Sequence, residues 1–302
     1  MWILLAFLSA LLLGFYDVSK KYSLRNNAVL PVLMINTVVC ALFFFPLVVG
    51  SCLGWTNALP KCGWDVHFLV LVKAMIVLLS WICGYYAMKH LPLTIVGPIN
   101  ATRPVMTLVG ALLIYGERLN AWQWCGVLLA ILSVFLLSNS GRKEGIRFSH
   151  NIWVVLLFAA ALLGTSSGLY DKYLLAPVSE GGVGLNSNFV QAWYNTYQAV
   201  LMTIVMLFVW YPTRKKGTPF QWRWSIILIS VFLTLADMAY FYALSQPEVL
   251  ISVVSMVRRG SVVVSFLCGA IFLHEKNLKA KFFDLFLVLV GMICLYIGTL
   301  YR

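Results

Sequence analysis

Charge is scarce in this sequence. Of its 302 residues only 11% are Asp, Glu, Lys or Arg, while 62% are hydrophobic. No soluble domain of this size is built that way. The stretches between apolar runs are too short to hold a separate globular domain. Acids are the rarest charges, ten against 22 Lys and Arg, which leaves a net charge of +12. That surplus does not imply nucleic acid, because the basic residues lie mostly in short connections, where they fix orientation and meet anionic headgroups. The four histidines are dispersed: His67 and His150 open apolar runs, and His90 and His274 close them. There is no His/Cys/carboxylate metal cluster, no Ser–His–acid spacing and no Walker sequence, so no enzyme, metal or cofactor is expected. The glycines at 177–188 do not match a phosphate-binding loop and read as a plain connection. The seven cysteines have no metal-ligand spacing. Cys40, Cys83, Cys125, Cys268 and Cys294 fall in apolar runs and read as small buried residues, and Cys52 and Cys62 flank one loop and would be free to pair in an oxidising compartment. The sequence opens directly in an apolar run without a cleavage-site pattern, so no removable signal peptide is expected.

What is present is a series of apolar stretches, each near the roughly 20 residues that cross a bilayer. Ten are predicted: Trp2–Tyr22, Leu30–Cys52, Val66–Lys89, Leu93–Tyr115, Ala121–Ser138, Ile152–Leu174, Phe189–Tyr211, Trp222–Leu244, Val249–Leu273 and Phe282–Leu300. The predicted fold is therefore an all-α integral membrane protein with the lipid bilayer as its surroundings. A polar connection, 141–151, divides it into a first five-helix unit, 1–140, and a second, 152–302.

The two units resemble each other. Gly14-Phe15-Tyr16-Asp17 is answered by Gly168-Leu169-Tyr170-Asp171, and Tyr85-Tyr86-Ala87-Met88 by Phe241-Tyr242-Ala243-Leu244. Counting on without a gap sets Arg103 opposite Arg259, and Gly116-Glu117-Arg118 then answers His274-Glu275-Lys276 after a two-residue slip. Four matches in order are hard to obtain by chance. With five spans per unit, the second unit enters the membrane inverted relative to the first, a construction plan of secondary transporters that place substrate near the midplane between the repeats. Without an ATP site, such transport would run on an ion gradient or on exchange. The lysine and arginine distribution places the short loops carrying Lys20, Arg142, Lys215 and Lys279 in the cytoplasm.

The informative charges lie inside the predicted spans. Arg258 and Arg259 stand near the middle of span nine, and Arg103 at the centre of span four in Asn100-Ala101-Thr102-Arg103-Pro104. A charge at the bilayer centre costs roughly 2.5–3.5 kcal/mol on the lenient insertion scale, so it faces a bundle interior or wet cavity and marks a pathway by default. By the repeat, the arginines converge on one cavity. Three guanidiniums with few acids nearby suit a planar anion such as phosphate or carboxylate. Asn100, with Tyr86 and Tyr242 among Tyr85, Tyr86, Tyr240 and Tyr242, is a candidate to contact the rest of the substrate. Pro98 and Pro104 mark either a distorted helix beside a cavity or ordinary kinks. Asp17 and Asp171 read either as coupling or gating carboxylates, with protons the coupling ion, or as helix ends held by Lys20, Lys21 and Lys172. Asp237 lies deep in span eight and wants a partner, Lys73 of span three or a central arginine. Paired with an arginine it would compete with substrate as a gate, or it would be a static structural pair.

The repeat and the closing Gly116-Glu117-Arg118-Leu119 resemble the drug/metabolite transporter superfamily, EamA type. Within it, Met256-Val257-Arg258-Arg259 followed by Val262-Val263-Val264-Ser265 is similar to the basic pair and aliphatic run of the triose-phosphate and nucleotide-sugar branch. That resemblance implies phosphate-gripping roles for Arg258 and Arg259, and more loosely for Arg103. The absence of long tails resembles prokaryotic members, implying a bacterial inner-membrane location. Together these readings predict an alternating-access transporter of a small organic anion, phosphorylated, working as a monomer or homodimer. The alternatives are a proton-coupled exporter of amino acids or drugs, and a lipid-headgroup flippase.

Overall fold

The computed structural model describes residues 2–55, 59–60, 62–106, 109, 120–142, 151–175, 178, 181–214, 217–244, 257–272 and 278–300. These residues are helical and connecting, with no strand among them. In chain order the helices are α1 (Trp2–Leu24), α2 (Val29–Cys52), α3 (Trp64–His90), α4 (Leu93–Ala101), α5 (Ala121–Arg142), α6 (Ile152–Leu175), α7 (Ser187–Val205), α8 (Ser225–Leu244), α9 (Ser261–Phe272) and α10 (Leu278–Leu300). Helix α7 runs on through a π-helical turn at Met206–Trp210 and a last turn at Tyr211–Thr213. Four stretches are long and apolar enough to cross a membrane: α2, α3, α6 and the extended α7 to Thr213. Large apolar side chains such as Phe43, Phe68, Phe135 and Phe208 stand exposed on the outside of the bundle, where a soluble protein would present charge.

Side-chain caps set several helix starts. Asn120 Oδ1 accepts from Gln123 N at 2.9 Å while Gln123 Oε1 accepts from Asn120 N at 3.1 Å, a reciprocal capping box that opens α5. Asn151 and Asn186 accept in the same way from the first turns of α6 and α7.

The most extensive contacts join a helix of the first half to one of the second: α1 with α8, α5 with α10, α3 with α6, and α2 with α7. Helix α9 packs between α1 and α4. Serine-to-carbonyl bonds tie two of these pairs, Ser9 Oγ donating to Ala236 O at 2.7 Å and Ser80 Oγ to Ala160 O at 2.8 Å. Small residues set how closely others approach. A Cβ at Gly14 would fall 2.4 Å from Val264 Cβ of α9, and one at Gly126 would fall 2.7 Å from the Gly291 carbonyl of α10.

Two expectations need correction. Spans four and nine are not continuous helices. Helix α4 ends at Ala101, turns at Thr102, and the chain is helical again over 103–106. The chain is helical over 257–259, turns at Gly260, and only then enters α9. Pro104 explains the first break, since its ring lacks an N–H and clashes with the carbonyl four residues back; Gly260, free of a Cβ, is the weakest helix former available at the second. Lys20, in turn, is not in a cytoplasmic loop but buried within α1. All seven cysteines, Cys52 and Cys62 included, are unpaired. Trp222 and Trp224 precede α8 rather than belonging to it. The motif 116–119, its counterpart at 274–276, and Lys215 lie outside the described residues, and the side chains of Arg142, Lys279 and Tyr242 lie outside them too.

Glycines 14 and 168, aligned in the sequence comparison of the two halves, have different surroundings, because Gly168 has open space at its missing Cβ. Gly14→Ala is expected to destabilise by about 1–3 kcal/mol through overpacking, read as a lower unfolding temperature in detergent. Gly168→Ala should leave that temperature unchanged, and equal losses at both positions would contradict the α1–α9 contact.

Candidate functional site

The two helix breaks carry the central arginines. Arg103 follows the Thr102 turn directly, and Arg259 directly precedes the Gly260 turn. In each case the helix breaker, Pro104 or Gly260, is the next residue. A broken helix at membrane depth is tolerated where it is buried in protein or lines a cavity.

From its break, Arg103 lays its guanidinium against the bare backbone of Gly164 on α6: a Cβ there would stand 2.8 Å from Nη1 and 3.0 Å from Cζ. Arg258 forms an ion pair with Asp237 of α8, and its Cζ lies 4.2 Å from the ring centroid of Tyr240. This cation–π contact is worth about 2 kcal/mol when desolvated. Arg259 is within electrostatic reach of Arg103, Arg258, Tyr240 and Asp17. It makes no ion pair among the described residues. Arg259 thus lies within electrostatic reach of the other two arginines expected to converge, although Arg258 arrives with a carboxylate partner.

Two further pairs flank them. Lys73 of α3 pairs with Asp171 of α6 and lies 4.9 Å from the Tyr194 ring centroid. Asp171 therefore reaches across to another helix, and Lys73 is not the partner of Asp237. Asp17 pairs with Lys20 at 3.3 Å. Lys20 Nζ also donates to Tyr16 Oη at 3.2 Å and sits 4.3 Å and 5.0 Å from the ring centroids of Tyr16 and Tyr85. Tyr194 and Tyr240 link the pairs, each within electrostatic reach of Asp171, Asp237 and Arg258. Among the described residues this network holds five cations, Lys20, Lys73, Arg103, Arg258 and Arg259, and three carboxylates, Asp17, Asp171 and Asp237.

The other expected residues divide. Asn100 is partly buried one turn before Arg103, and its buried Oδ1 has no hydrogen-bond partner. Tyr86 packs against the apolar core beside Trp81 and Ile82, whereas its neighbour Tyr85 is the tyrosine at Lys20. Tyr16 and Tyr194 were not singled out from the sequence. Neither was the buried polar row on α7, Gln191, Asn195 and Gln198, in which both side-chain polar atoms of Gln198 are unpartnered. Its signal is legible: amides at i, i+4 and i+7 in an otherwise apolar span mark one face. Among the described residues, no three His, Cys, Asp or Glu side chains come together as metal ligands.

Residues 1–139 match the EamA-like transporter family. No curated protein matches the sequence. A solved crystal structure superimposes on 98% of this chain and 97% of its own with a TM-score of 0.65 and 12% identity, which speaks to the fold alone. The family match covers just under half of the chain, and the four long apolar helices agree with a membrane protein.

If Lys73 and Asp171 hold each other across α3 and α6, their substitutions are not additive. Lys73→Met and Asp171→Asn are each expected to lower the unfolding temperature in detergent. The double variant should lose less than the two together, with a coupling of roughly 0.5–3 kcal/mol. Additive losses would contradict the pair.

Proposed function

We propose that the chain is a secondary transporter of a small organic anion, a phosphate monoester by preference, worked by alternating access between two inverted five-helix repeats. The observation that carries this reading is that Arg103, Arg258 and Arg259 stand beside two helix breaks, with Arg259 within electrostatic reach of the other two. Guanidinium forks match the planar oxygens of phosphate or carboxylate. The surplus of two cations in the described network corresponds to the charge of a phosphate monoester dianion.

The helix contacts support the repeat. Exchanging each helix for the one five places on turns α1–α8 into α6–α3, α2–α8 into α7–α3 and α1–α9 into α6–α4, and all of these contacts occur. Contacts α2–α7, α4–α9 and α5–α10 map onto themselves. The broken spans four and nine are then repeat partners, as the half-helices of a transporter site would be.

In this reading the empty site keeps Arg258 neutralised by Asp237. Arriving substrate competes with Asp237 for Arg258 while also engaging Arg103 and Arg259. Occupancy stabilises the state in which both repeats close on it, because only there do arginines from both halves reach one anion. Asn100 and the amides of α7 contact the uncharged part of the substrate.

In proteoliposomes, unlabelled sugar phosphate trapped inside is expected to accelerate uptake of labelled sugar phosphate without an imposed pH gradient, and Arg259→Gln should abolish the effect while preserving folding. Uptake that requires a pH gradient, survives Arg259→Gln and fails in Asp171→Asn would replace this reading with a proton-coupled exporter.

A further inference from the structure

A second basic site lies where the end of α1 meets the start of α8. A cavity of about 560 Å³ opens there, lined by Tyr22, Arg25, Asn26, Arg223, Trp224 and Ser225. The lining includes two arginines and no acid. Arg223 is held in place: Nη1 donates to the Tyr22 carbonyl at 2.7 Å, Nη2 donates to Gln221 Oε1 at 3.3 Å, and Cζ lies 5.6 Å from the Tyr22 ring centroid. Arg25 is exposed and makes no ion pair among the described residues. Tyr22 and Trp224 are also exposed, at the helix ends where amphipathic aromatics meet lipid headgroups.

We propose that this cavity binds the headgroup of an acidic phospholipid, its phosphate between Arg25 and Arg223 and its glycerol region against Tyr22 and Trp224. Three observations favour a lipid over a soluble anion. The site opens at the ends of two apolar helices, two exposed aromatic rings line it, and its arginines are partly or fully exposed rather than enclosed. Basic clusters at that depth attract anionic headgroups, and guanidiniums grip phosphate with two parallel bonds.

The position gives the lipid a consequence. Around the cavity the two helices are already stitched together: Ser23 Oγ lies 2.6 Å from Ser225 Oγ, Asn27 Nδ2 donates to the Gln221 carbonyl at 2.7 Å, and Gln221 N donates to Asn27 Oδ1 at 2.8 Å. Helices α1 and α8 come from different halves of the chain, so a headgroup bridging Arg25 and Arg223 adds a link across this junction and stabilises it. The inference does not depend on what the central arginines bind.

Native mass spectrometry of the full chain, purified in detergent and supplied with equal phosphatidylglycerol and phosphatidylcholine, reads the site directly. The expected result is selective retention of phosphatidylglycerol, weakened roughly fivefold for each arginine removed in Arg25→Gln and Arg25→Gln/Arg223→Gln, and unchanged in Arg259→Gln. Arg25→Gln alone keeps the test sound if the double variant fails to fold, because Arg25 holds no described neighbour in place. Equal retention of both lipids, or full retention in Arg25→Gln, would overturn the proposal. Thermal stabilisation by millimolar glycerol phosphate that matches phosphatidylglycerol and is lost in Arg25→Gln would overturn it in favour of a soluble anion.

Discussion

A guanidinium among apolar helices has to be held by something, and much of this molecule follows from how three of them are held. Out of bulk water, an arginine draws on acceptors, rings or carboxylates of the protein itself. Arg258 has Asp237 and the face of Tyr240. Arg103 reaches over a glycine of another helix. Arg259 sits amid the fields of the other two. The backbone is arranged to match, with helices interrupted beside both arginine sites. An unbroken helix would turn successive side chains around its circumference, whereas a turn re-aims the chain at the point of charge. The energetic cost is concentrated beside these breaks, where the proposed site lies.

The surrounding pairs give this centre its mechanical setting. Lys73–Asp171 links the two halves through α3 and α6. Lys20 and Asp17, with Tyr16 and Tyr85, form a second knot within reach of Arg103 and Arg259 through Asp17. The helices of the two halves interleave around these charges. Small residues at Gly14 and Gly126 let the helices come close, and serine-to-carbonyl bonds hold their register.

Much of this was legible in the residues. The apolar periods gave helices at or near the predicted places, and intramembrane charge alone singled out Arg103, Arg258, Arg259, Asp237 and Lys73. Partner choice was not legible. Asp171 lies one residue from Lys172 in sequence yet pairs with Lys73, because helix packing rather than chain distance decides which charges meet. Lys20 was assigned to a loop because clustered lysines at a span end ordinarily are solvated; here the rings of Tyr16 and Tyr85 supply a buried seat for it. The break at Gly260 was hidden by the strongly apolar residues on both sides, which read as one continuous span, whereas Pro98 and Pro104 both marked span four and the break falls at the second of them.

The account stands on the claim that the arginines form an anion site. The most direct test is the unfolding temperature of the detergent-purified chain, titrated with metabolites supplied in pairs with and without a phosphate monoester, in wild type and in Arg258→Gln/Arg259→Gln. The account predicts stabilisation by the phosphorylated member alone, approaching about 2.7 kcal/mol at 100 times the dissociation constant, and its loss in the double variant. Stabilisation by neutral or zwitterionic members that persists in the double variant would contradict it and leave the arginines a structural role.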